Sequence, residues 1–220
     1  MGVERAINTE LPPVKLAVLL SGGGTTLENI FEHMAEQKLN AKVELVVSSK
    51  HGVKGIERAQ KRGVRTEVVA SADYRQEKVT DWDAFSAKLN EVVLSCNPDL
   101  VVLAGFMCFY KIPPQLENRV MNIHPALVPA FAGQGMYGDK VHKAVVKRGA
   151  KFSGCTVHFV TNEYDAGPIV LQKMCEVSSE DSADDVQKRV FDLECQAYPE
   201  AIHLFQQQRL TVKDGLVFIS

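Results

Sequence analysis

The chain has 220 residues, of which 45% are hydrophobic and 24% charged, and its 25 basic and 27 acidic residues leave a net charge of −2. That is enough apolar sequence for a large core in one α/β domain, and it lacks the basic excess that a nucleic-acid surface requires. Cys96, Cys108, Cys155, Cys175 and Cys195 are odd in number and widely spaced, so they read as reduced thiols of a cytoplasmic protein, and no apolar run is long enough to cross a bilayer.

Residues 1–13, ending in Pro12-Pro13, read as a flexible lead-in, and residues 14–220 as a single domain. The apolar run 15–20 breaks at Ser21-Gly22-Gly23-Gly24-Thr25-Thr26, after which Leu27, Ile30, Phe31 and Met34 recur at helical spacing. This predicts strand, glycine turn and helix. A strand is expected at 43–48, a helix at 55–62, a strand at 65–69, and a helix at 82–95 with Phe85, Leu89 and Val92 on its buried stripe. Asn97-Pro98-Asp99 ends that helix and launches the continuous apolar run 100–104, the pattern of a strand covered on both faces. A short strand follows at 119–123, then a proline- and glycine-rich stretch at 125–138, then a helix through Val141, Ala144 and Val145. Residues 155–161 alternate, and 169–176 would pair with them across Asp165-Ala166-Gly167-Pro168, giving an antiparallel portion. The last long helix starts at Ser182 and buries Val186, Val190, Leu193, Ala197 and Ile202, with Pro199 expected to kink or split it. Short strands near Leu210 and Val217 close the chain. The alternation predicts a three-layer α/β/α fold with a Rossmann-like, mostly parallel sheet, an antiparallel C-terminal portion, and a site at the carboxyl ends of the strands.

The turn at 21–26 offers backbone N–H groups at a helix N-terminus, where the macrodipole favours an anion. It lacks the lysine of a P-loop and the G-x-G-x-x-G spacing of a dinucleotide site. A ligand-free tight turn explains it equally well. Asn122 and His124 lie two apart on a strand that Pro125 ends, so both face one side. An amide there can donate to a developing oxyanion while an imidazole moves a proton. A single histidine at a strand end is more often structural. Asp165 is a third polar candidate, on a tight turn where aspartate is common for local reasons, and spacing does not bring it to the other two. His124, His142 and His158 are too scattered for a ligand motif, so no metal is expected.

The segment Asn122-Ile123-His124-Pro125-Ala126-Leu127-Val128-Pro129, with His158-Phe159-Val160-Thr161 and Asp165-Ala166-Gly167-Pro168-Ile169, resembles the phosphoribosylglycinamide formyltransferase family. The resemblance runs from Lys15 over nearly the whole chain. It includes the glycine turn, Leu103-Ala104-Gly105-Phe106-Met107, and Glu194 followed by Ala197-Tyr198-Pro199. It implies the formyltransferase form of the α/β/α fold and transfer of a formyl group from the cosubstrate 10-formyltetrahydrofolate to the amine of 5'-phosphoribosylglycinamide in purine (IMP) biosynthesis. It also implies small-molecule substrates, no nucleic acid or membrane partner, no metal, and a monomer or homodimer. By resemblance Asn122, His124 and Asp165 form the catalytic group, Gly24, Thr25 and Thr26 hold the phosphate, and Glu194 binds the ribose hydroxyls. Arg75, Met107, Cys108, Phe109, Tyr110, Thr161, Asn162, Glu163 and Tyr164 bind the folate. The expected chemistry has the Asn122 amide and a protonated His124 stabilising the oxyanion, with Asp165 favouring the imidazolium and helping to shuttle the proton.

Two features depart from the family pattern: Thr26 stands where asparagine is frequent, and residues 131–138 are longer than usual and positioned to alter access or acceptor preference. A formyltetrahydrofolate deformylase would use the same three residues with water as acceptor, but is expected to carry an N-terminal regulatory domain for which a fold starting near Lys15 leaves no room. Transfer to methionyl-tRNA would bring a further C-terminal domain and a basic surface. A silent ribotide or folate sensor would have lost at least one of the three polar residues, and all three are present.

Overall fold

The computed structural model describes residues 11–220. The expected lead-in lies outside the described residues except for its last three, and of these Leu11 and Pro12 are tied down, their carbonyls accepting from Asn40 and Gln206.

β1 (Val14–Leu20) is followed by α1 (Thr25–Ala35), β2 (Ala41–Ser48), α2 (Lys54–Lys61) and β3 (Arg65–Val68). A small hairpin of β4 (Arg75–Gln76) and β5 (Val79–Thr80), absent from the sequence reading, precedes α3 (Trp82–Leu94). Then come β6 (Leu100–Leu103), β7 (Val120–His124), α4 (Asp139–Arg148), β8 (Phe152–Phe159), β9 (Ile169–Glu176), α5 (Ala183–Gln206) and a closing hairpin of β10 (Leu210–Lys213) and β11 (Leu216–Ile219). The central sheet has the order β3-β2-β1-β6-β7-β8-β9. It is parallel from β3 to β7 and antiparallel across β7, β8 and β9, as the sequence reading expects.

The chain winds outward from β1 through β2 to β3, then returns to the other side of β1 with β6. The loops after β1 and β6 therefore diverge, which opens a crevice at the carboxyl ends of these strands. β1 shows the layering directly: Leu16, Val18 and Leu20 pack in one core with Leu27, Ile30, Val190 and Ile202, while Ala17 and Leu19 pack in the opposite core with Phe85, Leu89 and Val93. Alternate residues of a strand point to opposite faces, so a strand buried in both cores must be apolar throughout.

Three local expectations are corrected. The buried stripe of α3 is Phe85, Leu89 and Val93, spaced one turn apart, with Val92 only partly buried. β8 does not alternate: every residue after Phe152 is buried, because α5 covers one face and the segment after β7 covers the other, with Thr156 Oγ1 donating to the Ala126 carbonyl. Pro199 does not split α5, which runs without interruption for 24 residues. Proline removes the bond to the Cys195 carbonyl, worth about 3 kcal/mol with its steric clash. Full burial of Tyr198 and Ile202 on the same turns offsets it.

Candidate active site

β7 presents Asn122 and His124 on one face, and the antiparallel register sets His158 of β8 opposite Asn122 and Thr156 opposite His124. Asp165 arrives from the turn between β8 and β9. That turn is fixed by Gly167, where a Cβ would stand 1.8 Å from the Phe159 carbonyl oxygen, and by the Phe159 N–H donating to the Pro168 carbonyl. Only glycine permits so close an approach.

The Asp165 carboxylate sits between two imidazoles, with Oδ2 3.5 Å from His124 Nδ1 and Oδ1 3.6 Å from His158 Nε2. Its Oδ2 also accepts from the Gly133 N–H at 2.9 Å. His124 Nε2 donates to the Phe131 carbonyl at 2.8 Å, and His158 Nδ1 donates to the Phe159 carbonyl at 2.9 Å. A carbonyl only accepts, so both protons are assigned from their partners. His158 Nε2 also lies 3.3 Å from Asn122 Nδ2.

Burial, the largest influence on His124, pushes its imidazole below the usual value, against the pull of Asp165 and of the Phe131 carbonyl. Burial also pushes the Asp165 carboxyl up, but His158, the charge of His124 and the Gly133 N–H together outweigh it and hold Asp165 below the ordinary carboxylate range. Asp165 is thus held toward its ionised form, while burial works against a charge on His124. Its Nδ1 faces the carboxylate, so a proton gained there would be held by Asp165 at once. Both imidazoles are almost fully buried, at 3% and 2% exposure, which strengthens each of these interactions.

These groups form part of the wall of a cavity of about 540 Å³ in the crevice beside β1 and β6. Asn122, His124, Asp165, Thr26, Glu194, Met107, Cys108, Phe109, Tyr110, Thr161, Glu163 and Tyr164 all line it. Gly24, Thr25, Arg75 and Asn162 do not. Gly24 caps α1 at φ 73°, and a Cβ there would meet Gly55 Cα at 2.8 Å, so it fits the turn against α2. Thr25 is exposed at the first position of α1, and Arg75 is exposed on the β4–β5 hairpin. Asn162 Oδ1 accepts from the Ile112 N–H at 2.9 Å, tying the 161–165 loop to the segment after β6. Tyr110 turns its hydroxyl away to donate to Asn90, whereas Phe109 and Tyr164 approach at 5.2 Å between ring centroids and give the cavity an aromatic side. Glu194 projects from α5, and burial raises its carboxyl to about 8, so at neutral pH it can donate as well as accept.

The sequence reading marked the 131–138 segment as positioned to alter access, but it missed His158 as a chemical group, Lys50 just past β2, and Tyr137, all of which line the cavity. Lys50 carried a usable signal, since it follows the carboxyl end of a predicted strand. His158 did not, because its place beside Asn122 depends on the β7–β8 register. Among the described residues no group of three His, Cys, Asp or Glu could hold a metal ion, and no helix is long and apolar enough to cross a membrane.

Comparison with known proteins matches residues 14–202 to the formyl transferase family. The chain is 38% identical over 211 residues to a chloroplastic phosphoribosylglycinamide formyltransferase of Arabidopsis thaliana, covering 93% of this chain and 70% of that one. It is 34% identical over 207 residues to the phosphoribosylglycinamide formyltransferase of Haemophilus influenzae, covering 93% of each. Among solved structures, glycinamide ribonucleotide transformylase 1 from Symbiobacterium toebii superimposes with a TM-score of 0.83 at 37% identity over 94% of both chains. A formyltetrahydrofolate deformylase from Pseudomonas syringae shares the fold at 24% identity and a TM-score of 0.80, this chain spanning 66% of it. With its fold and family match extending across β7, which carries Asn122 and His124, and the β8–β9 turn, which carries Asp165, the chain belongs to the phosphoribosylglycinamide formyltransferase family.

Proposed function

We propose that the chain transfers the formyl group of 10-formyltetrahydrofolate to the amine of 5'-phosphoribosylglycinamide, a step of purine biosynthesis, with Asn122, His124 and Asp165 as its catalytic residues. The observation that carries this reading is the convergence of an amide, a buried imidazole and an ionised carboxylate within one cavity that has a glycine turn on one flank and aromatic side chains on the other.

In this reading the amine nitrogen attacks the formyl carbon, the new C–N bond forms, and negative charge collects on the formyl oxygen. Asn122 Nδ2 donates to that oxygen. The proton released by the amine is taken up by His124, whose imidazolium Asp165 stabilises, and is returned to the folate nitrogen as the old C–N bond breaks. Starting from a neutral His124 suits this sequence, because the ring must accept before it donates. Thr26 contributes its hydroxyl to the acceptor phosphate, with Gly24 and Thr25 shaping and exposing the N-terminal turn of α1. Glu194 hydrogen-bonds the ribose hydroxyls. Met107, Cys108, Phe109, Tyr110, Thr161, Glu163 and Tyr164 form the folate wall, which Asn162 braces. Arg75, outside the cavity, is reached only by a part of the folate that projects from it.

The reading takes small molecules as the only partners, needs no metal, and places the chain in the cytoplasm as a monomer or homodimer; the five cysteines, all free thiols, suit a reducing compartment. The test is to follow tetrahydrofolate formation from 10-formyltetrahydrofolate with and without phosphoribosylglycinamide. Acceptor-dependent turnover is expected. Equal turnover without acceptor would make the chain a hydrolase and overturn the proposal.

A further inference from the structure

The cavity has a second polar wall that the transfer chemistry does not use. Residues 131–138 form it, with Phe131, Gly133, Gly135 and Gly138 at φ 52°, 95°, 87° and 51°. This backbone carries Tyr137 into the wall. Lys140, on the first turn of α4, donates from Nζ to the Tyr137 hydroxyl at 2.9 Å and stands 4.1 Å from its ring centroid. Lys50, just past β2, lines the same cavity, as do Gly22 and Thr26, and its charge acts on the same hydroxyl.

Neither lysine forms an ion pair among the described residues, and the nearby Asp139 is taken up by Lys143 at 3.9 Å. The Lys140 ammonium thus touches the phenol oxygen at the rim of the cavity, and the Lys50 ammonium lines the same cavity. Because Lys140 donates to the phenol oxygen, the phenol proton is free to point elsewhere, and the two cations pull the hydroxyl below its usual value and make it a stronger donor.

In the sheet β2 neighbours β1, while β8 lies on the far side of β6 and β7. Lys50 therefore stands at the glycine-turn flank and Tyr164, just after β8, at the opposite one. The ligand group that suits the Lys50 flank is a compact dianion rather than a pterin.

We infer that Tyr137, backed by Lys140 and faced by Lys50, is a clamp for the phosphate of the amine acceptor, and that the 131–138 segment thereby sets the preference for phosphorylated over unphosphorylated acceptors. This rests on the proposed function, deepening its acceptor side. Tyr137 is 47% exposed and Lys50 is exposed, so conservative changes at either leave the core intact.

The experiment compares wild type with Lys50→Met and Tyr137→Phe, using phosphoribosylglycinamide and the phosphate-free glycinamide riboside as acceptors. Each variant should raise KM for the ribotide by roughly ten- to a hundredfold, and leave kcat, KM for 10-formyltetrahydrofolate and turnover of the riboside within about twofold. An unchanged ribotide-to-riboside preference in both variants, or a loss that falls on the formyl-folate, overturns the clamp. Should wild type fail to formylate the ribotide at all, the proposed function falls, and inorganic phosphate then decides the clamp separately. A thermal midpoint raised by phosphate in wild type but not in Lys50→Met upholds an anion site at these residues, and equal responses remove it.

Discussion

Asn122 Nδ2 lies 3.3 Å from Nε2 of His158, its register partner across the β7–β8 pair. The contact joins the oxyanion donor of the proposed mechanism to a second imidazole, which also faces Asp165. His158 thus sets the direction of the amide and helps keep the carboxyl ionised without itself reaching the reacting atoms. It is a positioning residue. His158→Asn should lower kcat about ten- to a hundredfold with both KM values little changed. Since His158 is among the groups that hold both the His124 and the Asp165 values down, its loss should move the acid limb of the pH–rate profile to higher pH. A purely structural role would reduce the amount of folded enzyme and leave that limb in place.

His124→Ala and Asp165→Asn should each lower kcat by about two to four orders of magnitude while the fold persists. The two changes differ in their electrostatic trace. Asp165 raises the His124 value against the dominant effect of burial, so Asp165→Asn should drive the His124 imidazole still lower, a shift that histidine NMR titration reads directly. Unchanged turnover in either variant would remove that residue from the catalytic group.

The corner that delivers Asp165 depends on Gly167. An alanine there would force its Cβ to 1.8 Å from the Phe159 carbonyl oxygen, where backbone faces backbone and no side chain can yield. Gly167→Ala should cost about 2–4 kcal/mol and abolish most activity, because the turn can relax only by displacing Asp165. Gly52→Ala is the contrast: its φ of 64° is strained for alanine, but no atom lies within 4 Å, so about 1–2 kcal/mol and full activity are expected. Thermal midpoints and kcat for the two variants separate the clash from the strain.

Most elements of the central sheet and the long helices were legible because their signals are local: apolar runs for β1 and β6, periodicity for α1 and α3, and the Ser182 cap for α5. Apart from the one-residue slip from Val93 to Val92 on the α3 stripe, the errors arose where a distant neighbour decides the outcome. β8 is buried on both faces because of α5 and the 126–131 segment, and Pro199 is held within its helix by the core around it. The site follows the same division. Asn122 and His124 share a face by strand alternation alone, whereas the approach of Asp165, the role of His158 and the Tyr137–Lys50 wall require the β7–β8 register and the path of the 131–138 segment.

Glu194 yields a prediction in which stability and function oppose each other. Burial alone raises its carboxyl from the ordinary value to about 8, so between about pH 4.5 and 8 the folded chain holds a proton that the unfolded chain has released. Stability is greater where more protons are bound by the folded state, and it must fall as pH rises through that window. Glu194→Gln removes the titration. Relative to wild type, the variant should gain roughly 1–3 kcal/mol between pH 5 and pH 8, less than the full shift implies because the carboxyl opens toward the cavity. Thermal midpoints of both proteins at the two pH values measure this, and parallel curves would show that Glu194 titrates normally. Above about pH 8 the same substitution should raise KM for phosphoribosylglycinamide about ten- to a hundredfold, since there the ionised carboxylate offers two acceptors to a ribose diol and the amide only one. A variant that is more stable at pH 8 yet binds acceptor less well would identify Glu194 as a group kept at a cost in stability for the sake of the site.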